Sequence, residues 1–325
     1  MPKTILGYIV RFTGKHQIAL ALMSVAVFLL STAPLELQRR IVNDAIAKGS
    51  LRTIFWLALA YASVALIEQS LKLALNIYRG WVAESSVRTL RNMVRHAELE
   101  AVGELQTRAA AGTEVAMIIE EAEPIGGFTG ISVSEPLLQG GILASVIAYI
   151  VYLEPYLALI SLAFFAPQMV FVPLLQAAIN RRAQTRILVK RAISGSIVDG
   201  VASNGEHWAS QGEPIERVFA LNMGIYKLKF SMNLLMNLMY HLSVAVALCL
   251  GGWLAIEGRV EVGTVVAIVG GLGKLNDPWG DLVNWAREFS VAEVKYRLFA
   301  DAADRLAGMS SEGGRPLYSR SSAQA

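Results

Sequence analysis

The stretch Glu261–Ala302, EVGTVVAIVGGLGKLNDPWGDLVNWAREFSVAEVKYRLFADA, decides how this chain is read. It begins as an apolar run and turns amphipathic after Pro278. It then continues as a helical pattern into Lys295, Tyr296 and Arg297. A helix that leaves a membrane carrying charge hands force or position to something outside it.

The rest of the chain agrees with a membrane setting. It has 325 residues, 54% of them hydrophobic, and a mean hydropathy of +0.46. The apolar residues come in long runs instead of being broken up by charge, which predicts membrane helices. A net charge of +3 is too small to suggest nucleic acid. The single cysteine, Cys249, cannot form an internal disulfide. The four histidines, His16, His96, His207 and His241, are too scattered for a zinc pair.

Residues 1–17 place Lys3, Arg11 and Lys15 among apolar residues, which predicts a surface (elbow) helix. The first span follows from Ile18. A cleaved signal peptide also fits a basic start and a short apolar core, but five later spans argue against it. The second run starts near Leu51 and includes Glu68 and Lys72, four apart on one helical face. No proline occurs between Pro34 and Pro124. From Val87 the apolar residues recur with helical spacing at Leu90, Val94, Ala97 and Ala101. A helix from Leu51 to Glu98 would be about 72 Å long. The hydrocarbon core is about 30 Å thick, so roughly half of that helix must project into water. Runs three (Ile131–Leu153) and four (Tyr156–Ala178) form a hairpin joined by Glu154-Pro155. A fifth covers Leu234–Ile256, and a Glu257-Gly258-Arg259 turn leads into the sixth.

Six spans leave two long loops on one side, about 80–130 and 180–230. Of the 29 Lys and Arg residues, 22 fall on the long-loop side and 5 on the other, with Lys72 and Lys274 inside spans. That bias puts both termini and both long loops in the cytoplasm. The first external loop, with Arg39, Arg40, Lys48 and Arg52, is unusually basic for its side.

This layout resembles the transmembrane domain of type I ABC exporters, from about residue 5 to 302. Three places carry the resemblance. Gly112-Thr113-Glu114-Val115, with Ile118, Glu121 and Ile125, is similar to the family's helix returning from the first coupling loop. Asp199–Phe219, with Glu213 and Glu216-Arg217-Val218-Phe219, is similar to the second coupling region. Glu261-Val262-Gly263-Thr264-Val265, then Pro278, then Lys295-Tyr296-Arg297-Leu298, is similar to the sixth span and its exit.

The resemblance implies an all-α fold of six membrane helices with long cytoplasmic extensions. The chain then divides into an elbow helix at 1–17 and a transmembrane domain at 18–302, and the Ser/Gly-rich composition from Gly308 on predicts a disordered tail at 303–325. The resemblance also implies a permease that works as a homo- or heterodimer with a second transmembrane domain. ATP and Mg are expected on a partner ATPase subunit, and no cofactor on this chain. The implied coupling tips are roughly Glu104–Ala111 and Gly200–Trp208, with Glu104, Leu105, Arg108, Gly200, Asn204, Glu206 and Trp208 as contacts. The expected location is a bacterial cytoplasmic membrane.

The nearest approach to a phosphate-binding loop is Gly273-Lys274. It fails because Ile268 stands for the first glycine and Leu275 for Ser/Thr, and it lies inside a span. The chain is therefore expected not to be an enzyme, with a separate ATPase. An intramembrane protease reading of Glu120-Glu121 fails for want of the Arg and the paired histidines.

Charges in hydrocarbon cost several kcal/mol by insertion scales, so those present face protein or water. Glu68, Lys72, Lys274, Asn276 and Asp277 are thus candidates for a cavity wall, with Pro278 as a hinge. Lys274 and Asp277, three apart, have the spacing of a helical pair. Gln139, Gln168, Asn233, Asn237 and His241 are softer candidates. The competing reading is interhelical packing or snorkelling. Gly251-Gly252 and Gly270-Gly271 suit close helix packing, and Trp253, Trp279 and Trp285 suit interfacial anchoring. The competing function class is an orphan membrane scaffold or regulator that transports nothing. The residues do not name a substrate.

Overall fold

The computed structural model of the protein describes residues 2–46, 49–101, 122–202 and 212–312, which hold no strand. Their helices are α1 (Ile5–Leu30), α2 (Ala33–Arg40) and α3 (Leu51–Ala101), then α4 (residues 122–131), α5 (Ser134–Leu153) and α6 (Pro155–Phe165). After these come α7 (Gln168–Ala202), α8 (Gly212–Ile256), α9 (Val262–Gly273) and α10 (Asn276–Glu312). A π-helical turn, Ile41–Ile46, follows α2.

Five segments are long and apolar enough to cross a membrane: Ile5–Asp44, Leu51–Met93, Ala122–Leu153, Pro155–Lys190 and Glu213–Ile256. The expected sixth run is interrupted. Its apolar part, α9, has 12 residues, about 18 Å, well short of the hydrocarbon thickness. Residue 17 is not an element boundary, because α1 runs through it without a break. No proline interrupts that stretch, and Gly14 alone does not stop a helix. At the other end α10 continues to Glu312, ten residues beyond the expected end of the transmembrane domain at 302.

Prolines set most of the breaks. Turns at Ser31–Thr32, Ser132–Val133, Ala166–Pro167 and Lys274–Leu275 divide segments that read as continuous apolar runs. Pro34, Pro136 and Pro278 lie in the first turn of the helix after each break, and Pro167 lies in the turn itself. Proline has no N–H for the carbonyl four residues earlier and its ring crowds that carbonyl, so a helix stops upstream and restarts at it. Pro173 is tolerated inside α7.

The fold divides into two units. The first comprises Met1–Pro34, Leu59–Ser145 and Asn284–Ala325. Its core gathers Ile5, Tyr8, Leu90, Ile125, Tyr296 and Phe299 from α1, α3, α4 and α10. The Tyr296 hydroxyl donates to the Pro2 carbonyl at 2.8 Å, and the Ile5 amide donates to Glu293 at 3.1 Å. The middle of α10 thus buries its apolar face on the amino-terminal helix. In the same unit α4 lies directly on α3. A Cβ on Gly126 would collide with the Val87 side chain, and one on Gly130 with the Arg79 carbonyl. Two glycines four apart let the helix backbones approach closely.

The second unit comprises Leu35–Ala58 and Val146–Val283. In it α8 packs against α6, α7 and α9. The expected small-residue contacts appear there. Gly251 faces Val265 and Leu157, and Gly271 faces Ile150. The α8–α9 connection turns at Gly258, whose φ of +71° favours glycine.

Replacing Gly130 with Val is expected to lower the thermal unfolding midpoint in detergent, at an overpacking cost of roughly 1–3 kcal/mol. Gly127→Ala meets nothing within 4 Å and should leave the midpoint unchanged. Equal effects from both substitutions would remove the close-approach account.

Candidate functional site

The polar residues inside the spans fall into separate groups. In the first unit Glu68 and Lys72 form the ion pair their spacing predicts, at 2.9 Å. Glu68 is buried and Lys72 is one-third exposed. Counted from Leu51, the pair lies about 26–32 Å along α3, near one edge of a hydrocarbon slab that starts there. A lysine at such an edge can extend its stem and keep its ammonium wet.

The second group lies in the other unit. Lys274, Asn276, Asp277 and Pro278 mark the break between α9 and α10. Lys274 is the C-cap of α9, its amide bonded back to Gly271 and Leu272. Pro278 is buried, Asn276 half-buried and Asp277 exposed. Among the described residues no ion pair joins Lys274 to Asp277. The three-residue spacing counts only inside a helix, and the helix ends between them.

The softer candidates divide by exposure. Gln168 is fully buried at the α6–α7 break and its amide donates to the Met236 carbonyl at 3.4 Å. Asn233, Asn237 and His241 are all exposed. Spaced by four, they make one polar stripe along α8. The coupling candidates Glu104, Leu105, Arg108, Asn204, Glu206 and Trp208 lie outside the described residues, and Gly200 lies in the last turn of α7.

The structure adds two groups that the sequence did not single out. One is a buried ion pair between Arg79 of α3 and Glu135 of α5. Gln139 donates to the same carboxylate at 2.9 Å. These two charges are far apart in sequence and give no local pattern. The Glu-x-x-x-Gln spacing in α5 is the only hint.

The other group is an ionic cluster in the second unit. Glu36 accepts from Arg39 at 2.8 and 2.9 Å, from Arg40 at 2.7 Å and from the Tyr149 hydroxyl at 2.9 Å. Arg39 also reaches Glu261 at 3.4 Å. Asn43 donates to Glu261 and accepts the Gly263 amide at 2.7 Å. Asn43 thereby caps α9 from a distant part of the chain, while Glu261, the residue before α9, makes no side-chain cap of its own. Arg39 and Arg40 give this connection its surplus positive charge, and Glu36 and Glu261 neutralise much of it.

The model of the ABC transporter transmembrane region family matches residues 17–204, more than half of the chain. The protein is therefore a member of that family, a multi-pass membrane protein with the all-helical transmembrane fold of an ABC transporter. No curated protein matches the chain.

Arg79→Met and Glu135→Met are each expected to lower stability by roughly 3 kcal/mol, because each leaves one charge buried without its partner. The double replacement should recover most of that loss, read as melting temperature in detergent. Additive losses would show that the pair is not coupled.

Proposed function

We propose that this chain is the membrane-spanning subunit of an ATP-driven exporter. It works as a dimer with a second transmembrane domain. ATP with Mg is hydrolysed by an ATPase subunit or domain outside these 325 residues. The sixth span is α9 with the start of α10, bent at Pro278. Termini and long loops face the cytoplasm of a bacterial cell.

The observation that carries this reading is α3. Its 51 residues make a continuous helix about 76 Å long, over twice the hydrocarbon thickness. A stiff helix that extends far into water transmits displacement from an exposed tip to a membrane span. The family match supplies the context in which such a lever serves transport. The second long helix, α8, has 45 residues. In this reading the coupling contacts are Glu104, Leu105 and Arg108 in one loop, and Gly200, Asn204, Glu206 and Trp208 in the other.

In this reading the cavity-lining residues are Glu68 and Lys72 in the first unit and, separately, Lys274, Asn276 and Asp277 in the second. The α8 stripe of Asn233, Asn237 and His241 supports a water-filled pathway. Lipid offers amide and imidazole groups no hydrogen bonds, and polar groups inside spans face water or protein.

Two experiments test this. The first is a mild-detergent pull-down of the chain from its native membrane, with an ATPase assay. An ATP-hydrolysing partner should copurify, and alanine substitutions across 104–111 or 200–208 should release it. Recovery of the chain without any ATPase would replace transport with a scaffolding role. The second tests orientation in a Cys249→Ser background. A membrane-impermeant maleimide added to intact cells should label Glu257→Cys and spare Lys227→Cys. The reverse pattern would invert the topology.

A further inference from the structure

We propose that Trp285 of α10 is a latch on a proline hinge in the α4–α5 span. It is a positioning residue that holds the span's bend through one hydrogen bond to the backbone.

The hinge begins with Pro136. It has no N–H, so the Ser132 carbonyl four residues earlier loses its helical donor. In a continuous helix that carbonyl is satisfied within the segment, and in an apolar surrounding an unsatisfied one is costly. Here the indole N–H of Trp285 donates to the Ser132 carbonyl at 3.1 Å. The donor comes from another helix, so the bend is completed only when α10 is in place.

The neighbouring carbonyl is also held from outside. The Gln17 amide of α1 donates to the Thr129 carbonyl at 2.9 Å, and the Ser132 hydroxyl donates to the same carbonyl at 3.0 Å. One turn on, the Ser24 hydroxyl donates to the Ser134 carbonyl at 3.2 Å. Gln17, Ser24, Ser132 and Ser134 are all buried.

The two arms of the hinge differ in what holds them. Below the break, α4 is fixed to α3 through the Gly126 and Gly130 contacts. Above it, α5 is tied to α3 by the Arg79–Glu135 pair. The turn between carries its hydrogen bonds to side chains of α1 and α10. Phe128 and Phe289 flank the indole at ring-centroid distances of 6.3 and 6.0 Å, which fixes its direction. A shift of α10 withdraws the indole and frees the bend. That consequence for gating rests on the transport reading, whereas the latch itself does not.

The test is a double-substitution cycle on the full chain in lipid nanodiscs, read by amide hydrogen exchange. Trp285→Phe keeps an aromatic ring and removes the donor. It is expected to speed exchange across residues 133–138 by about fivefold, the loss of one hydrogen bond. Pro136→Ala restores the backbone N–H that Ser132 lacks. In that background Trp285→Phe should change exchange by less than about twofold, because the carbonyl no longer needs the indole. Equal effects in both backgrounds would mean that Trp285 only packs, and would overturn the latch. Should Pro136→Ala not fold, the spatial pattern of Trp285→Phe decides. A rise confined to 133–138 supports the latch, and a rise spread evenly over α1, α4 and α10 overturns it. Neither result depends on whether an ATPase binds, so failure here leaves the transport reading intact.

Discussion

Every backbone carbonyl inside a membrane must find a donor, and prolines in four segments of this chain take donors away. The structure is arranged around that constraint. Where Pro136 removes a donor, Trp285 supplies one from a different helix. At the Ser31–Thr32 break, Ser31 and Thr32 donate back to the Phe28 and Leu29 carbonyls. At the α6–α7 break, Gln168 donates across to α8. The bends are therefore sites where tertiary hydrogen bonds replace local ones.

The same economy governs charge. Glu68 and Lys72 satisfy each other within one helix. Arg79 and Glu135 do so between helices, and Glu36 gathers two arginines and a tyrosine. Breaking such a pair leaves one ion stranded, which costs far more than the intact pair contributes. The Arg79–Glu135 pair, unlike the Glu68–Lys72 pair, joins two different helices. The Glu36 cluster also bears on topology. Lys and Arg set orientation largely regardless of nearby acids, yet in the folded chain Arg39 and Arg40 are held by carboxylates.

The functional reading follows from scale. A bilayer spans about 20 helical residues, and α3 has 51. The excess has no purpose inside lipid. Under the proposed function, it is the part that reaches an energy source. The small-residue contact between α3 and α4 keeps lever and span together. In the same proposal, the bends at Pro136 and Pro278 are where such a lever acts.

The sequence by itself determined that the chain is helical and where its longest helix runs, but not every helix boundary. Long apolar runs without proline specify α3, and Glu154-Pro155 and Glu257-Gly258-Arg259 specify the tight connections. The Glu68–Lys72 pair was legible because its partners are four apart. The 274–278 group was legible as a polar interruption, but not as a helix end that keeps Lys274 and Asp277 from pairing. Only tertiary structure decided that Trp285 holds the Ser132 carbonyl, that Asn43 caps α9, and that Arg79 finds Glu135. Helical periodicity is a short-range property written in local spacing. Contacts between residues far apart in the chain depend on which helix faces meet, and no spacing records that.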